Sequence, residues 1–168
     1  MIQHSAHLRI ETAGPHAPWL TLVHGATQNR GVFSAQVAAF RHSYRLLLID
    51  LLGHGESAGL EGPFGPVEYA RAVIRAMDAA GVTQTHYWGT HTGTAVALLL
   101  GQRLPERFIS FVLEGAVIPG RQLHSVVTCY ERARQTMHEH GLRAAKQEWF
   151  ARSPWFDVIR EHPVECRA

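Results

Sequence analysis

Cysteine is scarce, two in 168 residues, and Cys129 and Cys166 stand at no spacing that suits a metal site or a redox pair. The 12 histidines do not supply an alternative, because they are scattered and no His-x-x-x-His or His-Glu-x-x-His pair occurs. No metal and no cofactor is therefore expected, and a reducing cytoplasm is the expected compartment. Charge of one sign is also lacking. A formal net charge of +2 gives no basic field for nucleic acid or an anionic membrane surface. No apolar run reaches the length of a membrane span, and Met1-Ile2-Gln3-His4 lacks the basic and apolar regions of a secretory signal. Low-complexity stretches are absent too, and 46% hydrophobic with 18% charged residues is a globular composition. The expectation is one domain large enough for a real core, with a small molecule as its partner.

What is present is a rhythm of short apolar runs and amphipathic segments. His7–Thr12 alternates Leu8 and Ile10 with polar residues, as a half-exposed strand does. Trp19-Leu20-Thr21-Leu22-Val23 and Tyr44–Ile49 read as buried strands, ending at His24-Gly25 and at Asp50. Gly31–Arg41 has helical spacing through Val32, Phe33, Val37 and Phe40. Leu51–Gly65 is glycine-rich and aperiodic, a long loop of the kind that is often functional. Pro66–Ala80 is amphipathic and stopped by Gly81. A third apolar run over Thr85–Trp88, a helix over Thr94–Leu104 and a fourth run, Phe108–Leu113, follow. Strands alternating with helices predict a mostly parallel sheet with helices on both faces. After Val117-Ile118-Pro119-Gly120 the strands cease. Arg121–His140 and Leu142–Arg152 read as helices, with Trp149, Trp155 and Phe156 beyond or within them. The expected division is a core over 1–119 and a helical segment over 120–168.

The stretch that organises the chain is His86-Tyr87-Trp88-Gly89-Thr90-His91-Thr92-Gly93. Strand, glycine-flanked turn and helix is the context of the nucleophile elbow Gly-x-Ser-x-Gly, where glycines let the chain reverse without collision. The central residue is lifted to a helix N-terminus that favours developing negative charge. Here that residue is His91, where the motif has serine. Imidazole serves as a base or a covalent nucleophile near neutral pH without a separate activating group.

Four landmarks in order resemble the α/β-hydrolase superfamily over Leu8 to about Pro163: Leu22-Val23-His24-Gly25, Asp50-Leu51-Leu52-Gly53-His54-Gly55-Glu56-Ser57, Gly89–Gly93, and Leu104-Pro105-Glu106-Arg107-Phe108. The resemblance implies an α/β-hydrolase fold whose residues 120–168 form a helical lid, within which the sequence stops. It places His91 in the nucleophile slot and gives oxyanion donors in the backbone N–H groups of Ala26 and Thr92, with Gly25 at the oxyanion turn. Trp88 packs beside the elbow. Glu114 follows the next strand, where some dehalogenases of the superfamily keep their acid. The usual acid and base histidine would lie on later strands. His24, His54, Asp50 and Ser57 are expected to be structural, satisfying the turns around them. The side chains of Thr90 and Thr92 are expected to point away from the approach to His91. The function implied is hydrolysis of a small ester, acyl or related carbonyl substrate with His91 as base or nucleophile. The alternatives are ligand or partner binding without catalysis, or a lyase. Phe108–Leu113 is expected to be an open, apolar sheet edge through which the chain self-associates.

Overall fold

A computed structural model of the chain describes residues 6–11, 13–60, 62–117, 124–152 and 161. The described chain divides into two compact units, 1–119 and 120–168.

The first unit is a five-stranded sheet with helices against both faces. Its strands are β1 (His7–Glu11), β2 (Trp19–Val23), β3 (Arg45–Asp50), β4 (Thr85–Thr90) and β5 (Phe108–Glu114), and its helices are α1 (Ser34–Phe40), α2 (Pro66–Ala79) and α3 (Thr92–Arg103). The strand order is β1-β3-β2-β4-β5. Only β1 runs antiparallel, with His7 opposite Asp50 and Glu11 opposite Leu46. All five residues of β2 are buried because it has a strand on either side and helices above and below. Its one polar residue, Thr21, is satisfied within the core by the Thr85 hydroxyl at 3.0 Å.

One face of the sheet packs Val73, Met77, Val96, Leu100 and Tyr87 with α2 and α3. The other packs Leu22, Leu46, Leu48 and Phe33 beneath Val37 and Phe40 of α1. The α2 helix starts at proline, where a missing N–H costs nothing, with the Glu68 carboxylate on Gly65 N at 3.0 Å. It ends before Gly81, whose φ of +68° suits a helix-terminating glycine.

Two sequence expectations are refined. The helix expected over Gly31–Arg41 begins as a 3-10 turn, Arg30–Phe33, and becomes α-helical only from Ser34. Asn29 imposes this by accepting from Gly31 N at 2.8 Å, and the tight turn drives Phe33 into the core. The loop Leu51–Gly65 contains a 3-10 turn at Gly55–Ser57. It is held by Asp50, whose carboxylate accepts from Glu56 N at 3.1 Å and whose carbonyl accepts from the Ser57 hydroxyl at 3.0 Å.

β5 occupies one edge of the described sheet. Its side chains Ile109, Val112 and Leu113 are 39–50% exposed.

The second unit contains α4 (His124–Arg152), broken at Gly141, whose φ of +82° and ψ of 171° are not helical. The break brings Thr136 on the first segment to the Glu148 carboxylate on the second. Trp155, Phe156 and residues 118–120 lie outside the described residues. Among the described residues, no helix is long and apolar enough to cross a membrane.

Candidate functional site

The turn joining β4 to α3 is tight. His91 adopts φ +46° and ψ −111°, a region that a residue with a side chain rarely enters. Its backbone is pinned from both directions. His91 N donates to the Glu114 carbonyl at 2.9 Å, and the His91 carbonyl accepts from Thr94 N at 2.9 Å and from the Thr94 hydroxyl at 2.6 Å. The Tyr87 hydroxyl, fully buried, donates to the Gly93 carbonyl at 2.9 Å and clamps the start of α3 to its own strand.

Two glycines are required by close approach. A Cβ on Gly93 collides with the Val23 carbonyl oxygen and comes within 3.1 Å of the His24 oxygen. A Cβ on Gly25 lies 2.6 Å from the His91 Cβ. Glycine at these positions lets the end of β2 press directly on the turn.

That contact puts Ala26 beside the start of α3. Ala26 N donates to the Thr92 hydroxyl oxygen at 3.1 Å, and the same oxygen lies 3.2 Å from His91 Nδ1. His91, Thr92 and Ala26 are thus brought together. The Thr92 side chain does not point away, as the sequence led one to expect. It turns inward because Oγ1 finds two polar partners in the crevice between the β2 end and the imidazole. Thr90 does turn elsewhere, donating to Gln28 Oε1 at 3.2 Å.

A model of the alpha/beta hydrolase fold matches residues 18–157. The chain belongs to this family. It is 29% identical over 107 residues to 3-oxoadipate enol-lactonase 1 of Acinetobacter baylyi, which covers 63% of this chain and 40% of the relative. The chain therefore spans well under half the length of that curated relative. In fold it matches the enol-lactonase of Burkholderia xenovorans with a TM-score of 0.77 at 24% identity, over 95% of this chain and 60% of that one. A thermophilic esterase from Thermogutta terrifontis superposes with a TM-score of 0.75 at 19% identity, over 94% and 57% of the two chains.

Within this hydrolase fold the remaining residues divide by what they touch. Glu114 places its carboxylate on the Trp88 indole N–H at 3.1 Å, so these two side chains pair with each other, and Glu114 reaches His91 through its carbonyl. His24 is fully buried, its Nδ1 2.7 Å from the Gly25 carbonyl and its Nε2 accepting from Leu51 N at 3.0 Å, which fixes the proton on Nδ1. His54 Nδ1 binds the Leu52 carbonyl at 3.1 Å, and the Ser57 hydroxyl accepts from His7 N at 2.9 Å. All three behave as the structural residues anticipated. Gln28 escaped the sequence reading although it joins the two halves of the site, accepting from Gly25 N at 2.9 Å and from Thr90. Its only signal was its place three residues after that glycine. Arg30 was also missed; its N donates to Asp50 Oδ1 at 2.7 Å and its guanidinium lies 3.4 Å from Oδ2.

A cavity of about 430 Å³ opens between β1, β3 and the start of α1, lined by Arg9, Glu11, Arg30, Leu48 and Glu56 among others and not by His91. Among the described residues no group of three or more His, Cys, Asp or Glu is placed to hold a metal.

Burial pushes the imidazoles of His24 and His91 below their ordinary value of 6.5. At neutral pH both rings are uncharged, which leaves His91 able to take a proton. The depressed values also set a pH dependence of stability. Above about 6.5 folded and unfolded chains are both neutral at these sites; below it the unfolded chain binds protons first, and stability falls until the folded rings also titrate. Melting temperature is expected to hold level from pH 8 to 7 and to drop below pH 6.5, with His24→Gln flattening part of that drop. An unchanged slope in that variant would remove His24 from this account.

Proposed function

We propose that the protein hydrolyses a small ester or lactone, with the neutral imidazole of His91 as the base or nucleophile at the β4–α3 turn. The observation that carries this reading is the strained backbone of His91, which holds a basic side chain at the apex of the turn beside the first N–H groups of α3. The Ala26 and Thr92 N–H groups are the proposed oxyanion donors, the first of them currently engaged by the Thr92 hydroxyl. Gly25 allows their approach. Glu114 and Trp88 act as positioning residues, Glu114 through the carbonyl that fixes His91 N. Similarity to an enol-lactonase makes a cyclic ester the first substrate class to try. Residues 1–119 supply this chemistry in our reading and 120–168 are proposed as a helical lid segment, in a protein of the cytoplasm.

The test compares wild type, His91→Ala and His91→Ser on short acyl esters and small lactones. Slow hydrolysis above the water background is expected from wild type, lost in His91→Ala and not restored by serine, which lacks a base to deprotonate it. Activity unchanged in His91→Ala, or none in wild type, overturns the proposal.

A second reading, ligand binding without turnover, is favoured by one observation: the 430 Å³ cavity is not lined by His91. In either case the exposed apolar edge of β5 is proposed to pair with a second copy of the 168-residue chain. Light scattering is expected to give a mass that rises with concentration, whereas a constant monomer mass would exclude it.

A further inference from the structure

We infer that the attacking atom is the Thr92 hydroxyl oxygen, with His91 Nδ1 as its general base. The inference rests on the hydrolytic reading above and deepens it by dividing the labour between two adjacent side chains.

Thr92 Oγ1 sits between two groups whose chemistry differs. Ala26 N, 3.1 Å away, carries a hydrogen that it donates, and this occupies one lone pair of the hydroxyl. The hydroxyl keeps its own proton to give, and His91 Nδ1 lies 3.2 Å away. With the ring protonated at Nε2, the imidazole lone pair faces that proton. A hydroxyl paired with a neutral imidazole is the arrangement that makes a weak nucleophile a strong one. Here it needs no histidine from elsewhere in the chain. The Ala26 N–H orients the hydroxyl before attack, and as Oγ1 bonds to the acyl carbon that N–H becomes available to the substrate oxygen, where the negative charge develops. Rigidity comes from the His91 carbonyl, held twice by Thr94, and from the Glu114 carbonyl on His91 N. Burial keeps the His91 ring uncharged at neutral pH and so ready to accept.

The chemistry balances without any added reagent but water. The Thr92 proton moves to His91 Nδ1 while Oγ1 bonds to the acyl carbon. The tetrahedral adduct collapses by breaking the bond to the leaving oxygen, which departs as the alcohol with the proton from His91. Water then adds to the threonine ester, giving a proton to His91. Collapse of the second adduct frees the acid, and the proton returns to Thr92 Oγ1. The sum is ester plus water giving acid plus alcohol.

The experiment treats wild type, Thr92→Ser, Thr92→Val and His91→Gln with p-nitrophenyl acetate, quenches in acid and maps the acetyl group by peptide mass spectrometry. Melting curves confirm that each variant is folded, and Thr92→Ser, which keeps the hydroxyl, guards against a purely structural effect. The expected result is one acetyl group on residue 92 in wild type and Thr92→Ser. Thr92→Val should lose it altogether. His91→Gln should acylate about 10²–10⁴-fold more slowly, the usual loss on removing a general base. Acetyl on His91, with Thr92→Val turning over as fast as wild type, overturns the inference while leaving the hydrolytic reading intact. A Thr92→Val protein faster than wild type also overturns it, showing that the hydroxyl merely fills the place of a substrate oxygen. No acylation and no hydrolysis by wild type overturns both.

Discussion

Gly93→Val is expected to destabilise the protein by about 3 kcal/mol or more, at the upper end of what overpacked sites cost. The first carbon of any side chain at position 93 already overlaps the Val23 carbonyl oxygen, and valine adds two methyl groups behind it. Neither partner has room to retreat. Val23 is the last residue of the fully buried central strand, and the Gly93 carbonyl is held by the Tyr87 hydroxyl. Relief requires α3 to lift from the end of β2, which also breaks the Ala26–Thr92 contact. Chemical denaturation is the measurement, with Gly59→Val as control because a side chain at Gly59 meets open space. A Gly93→Val midpoint equal to that of the control would contradict the close approach.

Asp50→Ala should be comparably severe, about 3–5 kcal/mol, the range seen when one partner of a buried ion pair is removed. The Asp50 carboxylate is 2% exposed and accepts from Arg30 N and Glu56 N while facing the Arg30 guanidinium. Its loss strands a cation that is itself only 17% exposed and unfastens the Gly55–Ser57 turn, though Glu56 still reaches Arg30 from the solvent side. Asp50→Asn keeps a carbonyl acceptor and is expected to cost less than alanine. Equal losses in the two variants would show that charge, not hydrogen bonding, is what Asp50 supplies.

Much of the architecture was legible because the strands are short, apolar and separated by helical periodicity. Phe108–Leu113 and Pro66–Ala80 agree with β5 and α2 to within a residue. Less legible were features made by side chains that bind backbone. The 3-10 start of the first helix depends on Asn29, and the turn at Gly55–Ser57 on Asp50, and neither leaves a periodic trace. At the site, Gly89–Gly93 marked the turn, and the positive φ of His91 follows from that motif. The inward turn of Thr92 did not, because it depends on Ala26, 66 residues away in sequence, arriving within 3.1 Å. Glu114 shows the same limit. Its position at the strand end was readable, but whether its carboxylate faced His91 or Trp88 was decided by which residues share a face of the sheet.

The strand order has a kinetic meaning. β2 pairs on one side with β3 and on the other with β4, so Val23 meets Gly89 across an intervening stretch that holds another strand and two helices, α1 and α2. Closing so long a loop loses chain entropy before any contact returns it, which slows folding relative to a local hairpin. The β4–α3 turn cannot settle until that pairing is made, since Gly93 rests on Val23 itself. The β4–α3 corner accordingly takes its final shape only with the long-range pairing of β2 and β4 in place.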